Sequence, residues 1–327
     1  MKRVKVGVYG AAGYTGGEVI RILLNHPDIE LCFAHSTSNG GNPVSAVHRD
    51  LVGQTDLAFS RDYRFDVDVA LLCLEHGQAI RFLRDRRLPP HLKIIDLSQD
   101  FRLQTGPTEG QTPFVYGLPE MNRERIRTAS RIANPGCFAT CIQLALLPLA
   151  YRNLLGSEIH ISAITGSTGA GQRLSPTTHF SWRNNNVSVY KAFCHQHLSE
   201  IRQSLELLQP GFDGEINFIP FRGGFSRGIL SSVYLRNGES LDRLLDLYES
   251  CYADHPFVTI SRENIDVKQV VNTNKGLLFL EKHGDRLLIV GAIDNLLKGA
   301  AGQAVQNLNL MCGLEETTGL TLKGIGF

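Results

Sequence analysis

Residues Val4–Glu18 read VKVGVYGAAGYTGGE: an apolar run, a glycine turn and the opening of an amphipathic segment. Val4–Tyr9 has the composition of a β-strand. Gly16–Asn25 has helical periodicity, with Val19, Ile20, Leu23 and Leu24 on one face. Between them Gly10, Gly13 and Gly16 are spaced G-x-x-G-x-x-G. That is a variant of the fingerprint in which a tight turn brings backbone N–H groups to a dinucleotide pyrophosphate at a helix N-terminus. The glycines also fit a turn that serves chain geometry alone. Their place after the first strand of a βα series favours the dinucleotide reading.

The series continues outward with strands at Glu30–Ala34, Val67–Leu74 and Lys93–Leu97. Short apolar strands alternating with helices predict a Rossmann-like, doubly wound parallel sheet, covered on both faces. After about residue 135 the texture changes. A helix at Phe138–Tyr151 is apolar nearly all round, and strand-like runs follow at Glu158–Thr165, Glu215–Ile219, Ile229–Arg236, Val267–Asn272, Leu277–Lys282 and Arg286–Ala292. With few helices between them, these predict a second α/β domain with a mostly antiparallel sheet. A final helix is expected over Leu296–Met311, and Thr165–Gly171 reads as a tight loop.

A length of 327 residues fits two domains. Hydrophobic residues are 43% and charged residues 20%, which excludes disordered and fibrous classes. Thirty-three basic against 32 acidic residues leave a net charge of +1, which argues against a nucleic-acid binder. No apolar run reaches the roughly 20 residues that span a bilayer. The opening MKRVKVGVYG runs into a glycine turn rather than a signal-peptide core, so a cytoplasmic protein is expected. The 7 cysteines contain no Cys-x-x-Cys pair, which predicts neither a disulfide framework nor a zinc site, and no metal is expected.

The stretch Phe33–Asn39 (FAHSTSN) contains no acid. An NAD site usually carries one after the second strand, to hold the ribose 2′-hydroxyl. Hydroxyls and an amide instead lean towards NADP, although Ser36–Asn39 also fits a plain polar loop. Asn134-Pro135-Gly136-Cys137 are turn residues followed by a helix, which puts Cys137 where the helix dipole favours a thiolate, the form that acts as an acyl-transfer nucleophile. His195-Gln196-His197 precedes another helix, and an imidazole there has the pKa range for acid–base work. Arg222 or Arg227, set among glycines, offers a bidentate clamp for a phosphate or carboxylate; either also fits a solvated turn.

These segments together resemble the N-acyl-gamma-glutamyl-phosphate reductases of arginine biosynthesis, relatives of the aspartate-semialdehyde dehydrogenases. The matching stretches run nearly end to end: GAAGYTGGE (10–18), DLSQDFR (96–102), YGLPE (116–120), NPGCFAT (134–140), TGSTGAG (165–171), HQHLSEI (195–201), FSRGIL (225–230) and DNLLKGAAGQAVQNLN (294–309). The resemblance implies a semialdehyde-dehydrogenase type fold. Residues 1–137 and 297–327 would form an NADP-binding domain, and 138–296 a catalytic and dimerisation domain. It implies Cys137 as nucleophile and His195 as acid/base, with His197 the other candidate. Cofactor contacts would come from Gly10, Gly13, Tyr14, Thr15, Gly16, Ser36, Ser38, Ser98, Gly169, Asn295 and Gly299, and substrate contacts from Arg102, Ser167 and Arg227. The final helix would fold back on the first domain, with Gly299 and Gly302 allowing close approach to the nicotinamide. The expected partners are a small acyl phosphate and inorganic phosphate, no nucleic acid and no membrane, with assembly as a homo-oligomer, dimer or tetramer. Where the family often has Ser-Arg-Ser after the second strand, this chain has Ser36-Thr37-Ser38. A reductase of a carrier-bound glutamyl or aminoadipyl phosphate shares this core chemistry, and a dinucleotide-sensing protein would share the fold without the turnover.

Overall fold

The computed structural model describes residues 2–104 and 112–326. The chain divides into two compact units, Met1–Pro135 with Ala300–Thr321, and Gly136–Gly299 with Leu322–Phe327.

The first unit is built on seven strands: β1 (Val4–Tyr9), β2 (Ile29–His35), β3 (Phe59–Ser60), β4 (Val69–Leu72), β5 (Lys93–Asp96), β6 (Val115–Tyr116) and β7 (Arg131–Ala133). They form one sheet in the order β3-β2-β1-β4-β5-β7-β6, and every pairing is parallel. The central strands are largely apolar, as strands covered on both faces must be; β4 (VALL) is buried at all four positions. Strand order reverses between β1 and β4, where open parallel sheets bind ligands at the carboxyl ends of their strands. The glycine turn leaves β1 at that end.

The last helix, Ala301–Met311, packs in this unit against helices Tyr14–Leu24 and Pro119–Thr128. It starts five residues later than the expected Leu296. The Asp294 carboxylate accepts the Leu296 and Leu297 amides at 2.8 and 3.1 Å, and the Gly299 amide donates to the Asp294 carbonyl at 2.9 Å, so 294–299 forms turns instead. Asn307 in this helix is buried, and its amide donates to the Gly117 carbonyl at 2.8 Å and to Asn134 Oδ1 at 3.0 Å.

In the second unit β8 (Glu158–Thr165), β9 (Ser188–Val189), β10 (Glu215–Arg222), β11 (Ile229–Arg236), β12 (Val258–Ser261), β13 (Gly276–His283) and β14 (Arg286–Ile293) make a sheet of order β12-β13-β14-β11-β8-β10-β9. Four pairings are antiparallel, and two, β8 with β10 and β12 with β13, are parallel. The expected strand at Val267–Asn272 is absent. Asp266 accepts the Lys268 amide at 2.7 Å while Gln269 accepts the Asp266 amide at 2.9 Å, and this reciprocal cap winds Val267–Gln269 into a single 3₁₀ turn.

Helix Cys137–Tyr151 is the centre of the second unit, buried from Phe138 to Ala150. It tolerates Pro148 for an identifiable reason. Proline has no N–H for the Leu144 carbonyl, and the Tyr252 hydroxyl donates to that carbonyl instead, at 2.6 Å. Tyr248 donates its hydroxyl to the next carbonyl, that of Ala145, at 2.5 Å. Both tyrosines come from helix Leu241–Tyr252, so a break in one helix's hydrogen bonding is repaired by another. Among the described residues no helix is long and apolar enough to cross a membrane.

Candidate active site

The glycine turn has the backbone that a phosphate cradle needs. Gly10 has φ +72°, a conformation side chains disfavour, and a Cβ there would collide with the Cys73 carbonyl. A Cβ on Gly16 would come within 2.7 Å of the Gly10 carbonyl oxygen. Gly13, extended at φ −75° and ψ 169°, caps helix Tyr14–Leu24 without a side chain, so the first-turn amides of Tyr14, Thr15 and Gly16 receive no side-chain cap. Tyr14 is exposed and Thr15 half-buried. Below the turn, buried His48 donates Nε2–H to the Ala11 carbonyl at 2.8 Å, and burial holds its pKa below the usual histidine range. No short-range pattern announces His48. These features fit a dinucleotide pyrophosphate: the glycines add no side chain to the turn, and the cap offers none to the first-turn amides.

Beyond β2, Ser36 is buried, and its hydroxyl accepts the Asn39 amide at 3.2 Å. Ser38 is exposed and accepts from the Asn39 side-chain amide at 3.0 Å. At the end of β5, Ser98 donates its hydroxyl to Asp96 at 2.7 Å; burial pushes the Asp96 carboxyl up to about 7 against these hydrogen bonds. Arg102 spans the neighbouring loops, donating to the Asn134 and Leu97 carbonyls, both at 2.9 Å.

In the second unit Cys137 is the first residue of its helix, with Gly136 as an extended cap that offers no side chain of its own to the first amides. The thiol therefore sits at the positive end of the helix dipole, beside amides able to stabilise an oxyanion. The HQH segment lies against this point. A Cβ on Gly136 would collide with the His197 ring. Phe138, the next residue after Cys137, meets the His195 ring edge-on at 5.5 Å and the His197 ring at 6.2 Å. Glu200, one turn into the following helix and buried, accepts the Gly136 amide at 2.9 Å. Thus the segments around 137 and 195–200, far apart in the chain, meet at Gly136 and Phe138, on either side of Cys137.

His195 Nδ1 accepts the His197 amide at 3.2 Å, which puts the proton of the neutral ring on Nε2. Burial, reinforced by the nearby charges of Lys191 and Arg222, lowers its pKa to about 4. In the folded chain the ring is therefore a neutral imidazole at pH 7, not an imidazolium. A neutral Nε2–H remains a hydrogen-bond donor to a developing oxyanion. Tyr190, which no sequence pattern singled out, stands 5.8 Å from the His195 ring. Its hydroxyl is pushed up to about 12, by burial first and then by the charge of Cys137.

Gly299 closes another side of Cys137: a Cβ on it would lie 2.8 Å from the Cys137 Cβ. Asn295 is buried, accepting the Gly228 amide at 2.7 Å and donating to Thr168 at 3.0 Å, so it ties TGSTGAG to the turn after Arg227. In that loop the Ser167 amide donates to the Phe225 carbonyl at 2.8 Å, and Gly169 is exposed. Arg227 is paired with buried Asp294, Nε to Oδ2 at 3.0 Å and Nη2 to Oδ1 at 3.2 Å. The structure thus gathers Cys137, His195, His197, Asn295 and Gly299 with Tyr190 and Glu200 in one unit, and the glycine turn with Ser36, Ser38, Ser98 and Arg102 in the other. Among the described residues no group of three or more His, Cys, Asp or Glu has metal-binding geometry, and all seven cysteines are free thiols.

Two family models define the class. Residues 5–129 match the semialdehyde dehydrogenase NAD binding domain, and residues 137–295 match the semialdehyde dehydrogenase dimerisation domain. The first unit is therefore a nicotinamide-dinucleotide-binding domain. Among solved structures, aspartate semialdehyde dehydrogenase II from Vibrio cholerae superposes with a TM-score of 0.72 over 96% of this chain and 99% of its own, at 16% identity. The aspartate semialdehyde dehydrogenase with NADP from Candida albicans gives 0.69 over 95% and 99%, at 14% identity. Those identities speak to fold alone. Full-length sequence relatives are much nearer. A Bacteroides fragilis protein named N-acetyl-gamma-glutamyl-phosphate reductase is 54% identical over 99% of this chain and 100% of its own. One of the same name from Flavobacterium johnsoniae is 55% identical over the same shares. The chain belongs to the N-acetyl-gamma-glutamyl-phosphate reductase family.

Proposed function

We propose that this protein reduces an N-acyl-γ-glutamyl phosphate to the N-acyl-glutamate 5-semialdehyde in arginine biosynthesis, through a thioester on Cys137. The observation that carries the reading is a cysteine at an uncapped helix start, with the HQH segment folded onto its backbone, in a chain more than half identical to the named reductases.

The thiolate of Cys137, favoured by the helix dipole, attacks the acyl-phosphate carbonyl and phosphate leaves. Amides at the helix start hold the oxyanion of the tetrahedral intermediate. NADPH, when bound, supplies the hydride. Hydride addition leaves an alkoxide on the former carbonyl oxygen; His195, neutral and with its proton on Nε2, donates a hydrogen bond to it, and the C–S bond then breaks to release the aldehyde and the Cys137 thiolate. His197, on Gly136, and Glu200, on the Gly136 amide, position the cysteine. Ser167, Arg227 and Arg102 are assigned to the substrate side. Arg227 also anchors Asp294 and through it the turn that ends at Gly299.

The dinucleotide is assigned to the turn Gly10, Gly13, Tyr14, Thr15 and Gly16, with Ser98, Gly169, Asn295 and Gly299 as further contacts. Ser36 and Ser38, in a stretch with no carboxylate, favour NADP by accommodating a 2′-phosphate without repulsion. The second unit would pair with another copy through the outward face of its sheet, giving a dimer or a dimer of dimers. Seven free thiols suit the reducing cytoplasm.

The test is phosphate-dependent reduction of NADP by the purified protein with N-acetyl-glutamate semialdehyde, followed at the absorbance band of the reduced nicotinamide. Turnover that requires phosphate is expected. Its absence across a panel of N-acyl semialdehydes would remove the activity, and equal kcat/KM with NAD and NADP would remove the role of Ser36 and Ser38.

A further inference from the structure

Three arginines of the second unit lie near the Cys137 helix start or its loops, and they are held differently. Arg183 is buried and spends its donors on neutral acceptors: Nη1 on the Arg222 carbonyl at 2.7 Å, Nε and Nη2 on the Thr177 carbonyl at 3.3 and 3.2 Å, and Nη2 also on the Ser188 hydroxyl at 3.4 Å. Arg227 is held by Asp294. Arg222, the last residue of β10, has no carboxylate contact among the described residues. Its guanidinium carbon stands 4.4 Å from the Tyr190 ring centroid, and its Nε is buried with no hydrogen-bond partner.

The placement is built. The Arg222 carbonyl is the acceptor that Arg183 holds, and β10 pairs with β9 through Arg222 and Ser188, two residues before Tyr190. The Tyr190 amide donates to the Pro220 carbonyl at 3.1 Å, which fixes the ring beneath the guanidinium. Tyr190 in turn faces His195, and its hydroxyl feels the charge of Cys137. The Tyr190 ring beneath the guanidinium fixes its plane, and a hydrogen bond to the Tyr190 hydroxyl takes part of its edge, leaving Nε as an unused donor. A buried, unpaired N–H of a permanently charged group calls for an anionic acceptor.

We propose that Arg222 binds an anionic oxygen group of the acyl-phosphate substrate on the Tyr190 side of Cys137, donating from Nε and one Nη in a two-pronged geometry. The inference rests on the proposed reduction, whose substrate carries two such groups, the phosphate and the glutamyl carboxylate. Arg222 is thus a specificity-determining residue additional to Arg227, and Tyr190 positions it.

The test uses the reverse reaction of the full-length protein, with inorganic phosphate and N-acetyl-glutamate semialdehyde varied separately, for wild type, Arg222→Met and Arg222→Lys. Arg222→Met is expected to raise one KM by about tenfold or more while the KM for NADP stays within about twofold, the scale of one charge-assisted hydrogen-bond pair. A rise in the phosphate KM identifies the phosphate as the bound anion; a rise in the semialdehyde KM identifies the carboxylate. Arg222→Lys should recover part of the loss, since charge without the fork remains. If Arg222→Met does not fold, protection of Cys137 from iodoacetamide by inorganic phosphate and by N-acetylglutamate is compared between wild type and Arg222→Lys. Unchanged KM values, or unchanged protection, overturn the proposal. A wild type with no phosphate-dependent turnover is a separate failure, that of the reaction itself.

Discussion

The two units build their functional surfaces from different material. In the first, the surface is backbone: Gly10 at φ +72°, an extended Gly13 cap and uncapped amides at Tyr14–Gly16. In the second it is side chains: Cys137 from the start of its helix, Tyr190 and His195 from the connection between β9 and helix His197–Leu208, and Arg222 from the end of β10. The sheets match this division. β4 is buried at every position because both its faces are covered, whereas β8 and β11 alternate, one face on the Cys137 helix and the other outward. A backbone site tolerates change in most side chains near it but not the addition of a Cβ. A side-chain site tolerates backbone variation in its loops but not the loss of one functional group.

Cys137→Ser tests the side-chain half most severely. A kcat fall of about a thousandfold or more is expected, about 4 kcal/mol of barrier, with NADP affinity essentially unchanged. Near wild-type turnover would remove the nucleophile from the mechanism. His195→Ala should cost roughly a hundredfold in kcat. His197→Ala should cost less, since the ring packs on Gly136 without the assigned hydrogen bond to the alkoxide; a larger drop for His197→Ala would exchange the two roles.

Gly10→Ala tests the backbone half. A strained φ and a blocked Cys73 carbonyl cost on the order of 1–3 kcal/mol, so NADP should bind about tenfold or more weakly by fluorescence titration. Alkylation of Cys137 by iodoacetamide in the cofactor-free protein should proceed at the wild-type rate. A change in that rate with NADP affinity intact would erase the division between the halves.

The smallest effect concerns acid. Burial lowers the pKa of His26, His35 and His48 in the first unit and of His195, to about 4, in the second. The folded chain thus refuses protons that the unfolded chain accepts from about pH 6.5 downward. Stability is full above that pH and is lost as pH falls towards 4. The melting temperature should drop over this window by about 2–4 °C for each kcal/mol lost, and His48→Gln should lessen the slope. A flat profile between pH 7 and 5 would contradict the neutral, buried rings.

How far the sequence could be read follows from the same division. The glycine turn and the helix start at Cys137 are contiguous motifs, and their geometry is dictated by residues within a few positions of each other. The parallel sheet was legible because β1, β2, β4 and β5 carry apolar runs between helices. The mixed sheet was legible in kind, but Val267–Asn272 was misread: its apolar residues resembled a strand, and the Asp266–Gln269 capping pair outweighed them. Leu296–Met311 erred for a similar reason, Asp294 diverting the chain into turns. Tyr190, Glu200 and His48 carried no local signal at all.

By itself the sequence determined the class of both sheets, the glycine turn after β1 and a cysteine at the head of an apolar helix. Each depends on short-range sterics and on apolar periodicity, which are written residue by residue. Only the tertiary structure decided that the HQH segment lies on Gly136 and Phe138, that His195 is neutral, that Arg227 is paired with Asp294, and that Arg222 stands over Tyr190 with a buried N–H unpaired. Those outcomes depend on which strand lies beside which and how deeply a ring is buried. They are set by the summed packing of residues tens to hundreds of positions apart, and no local pattern records that sum.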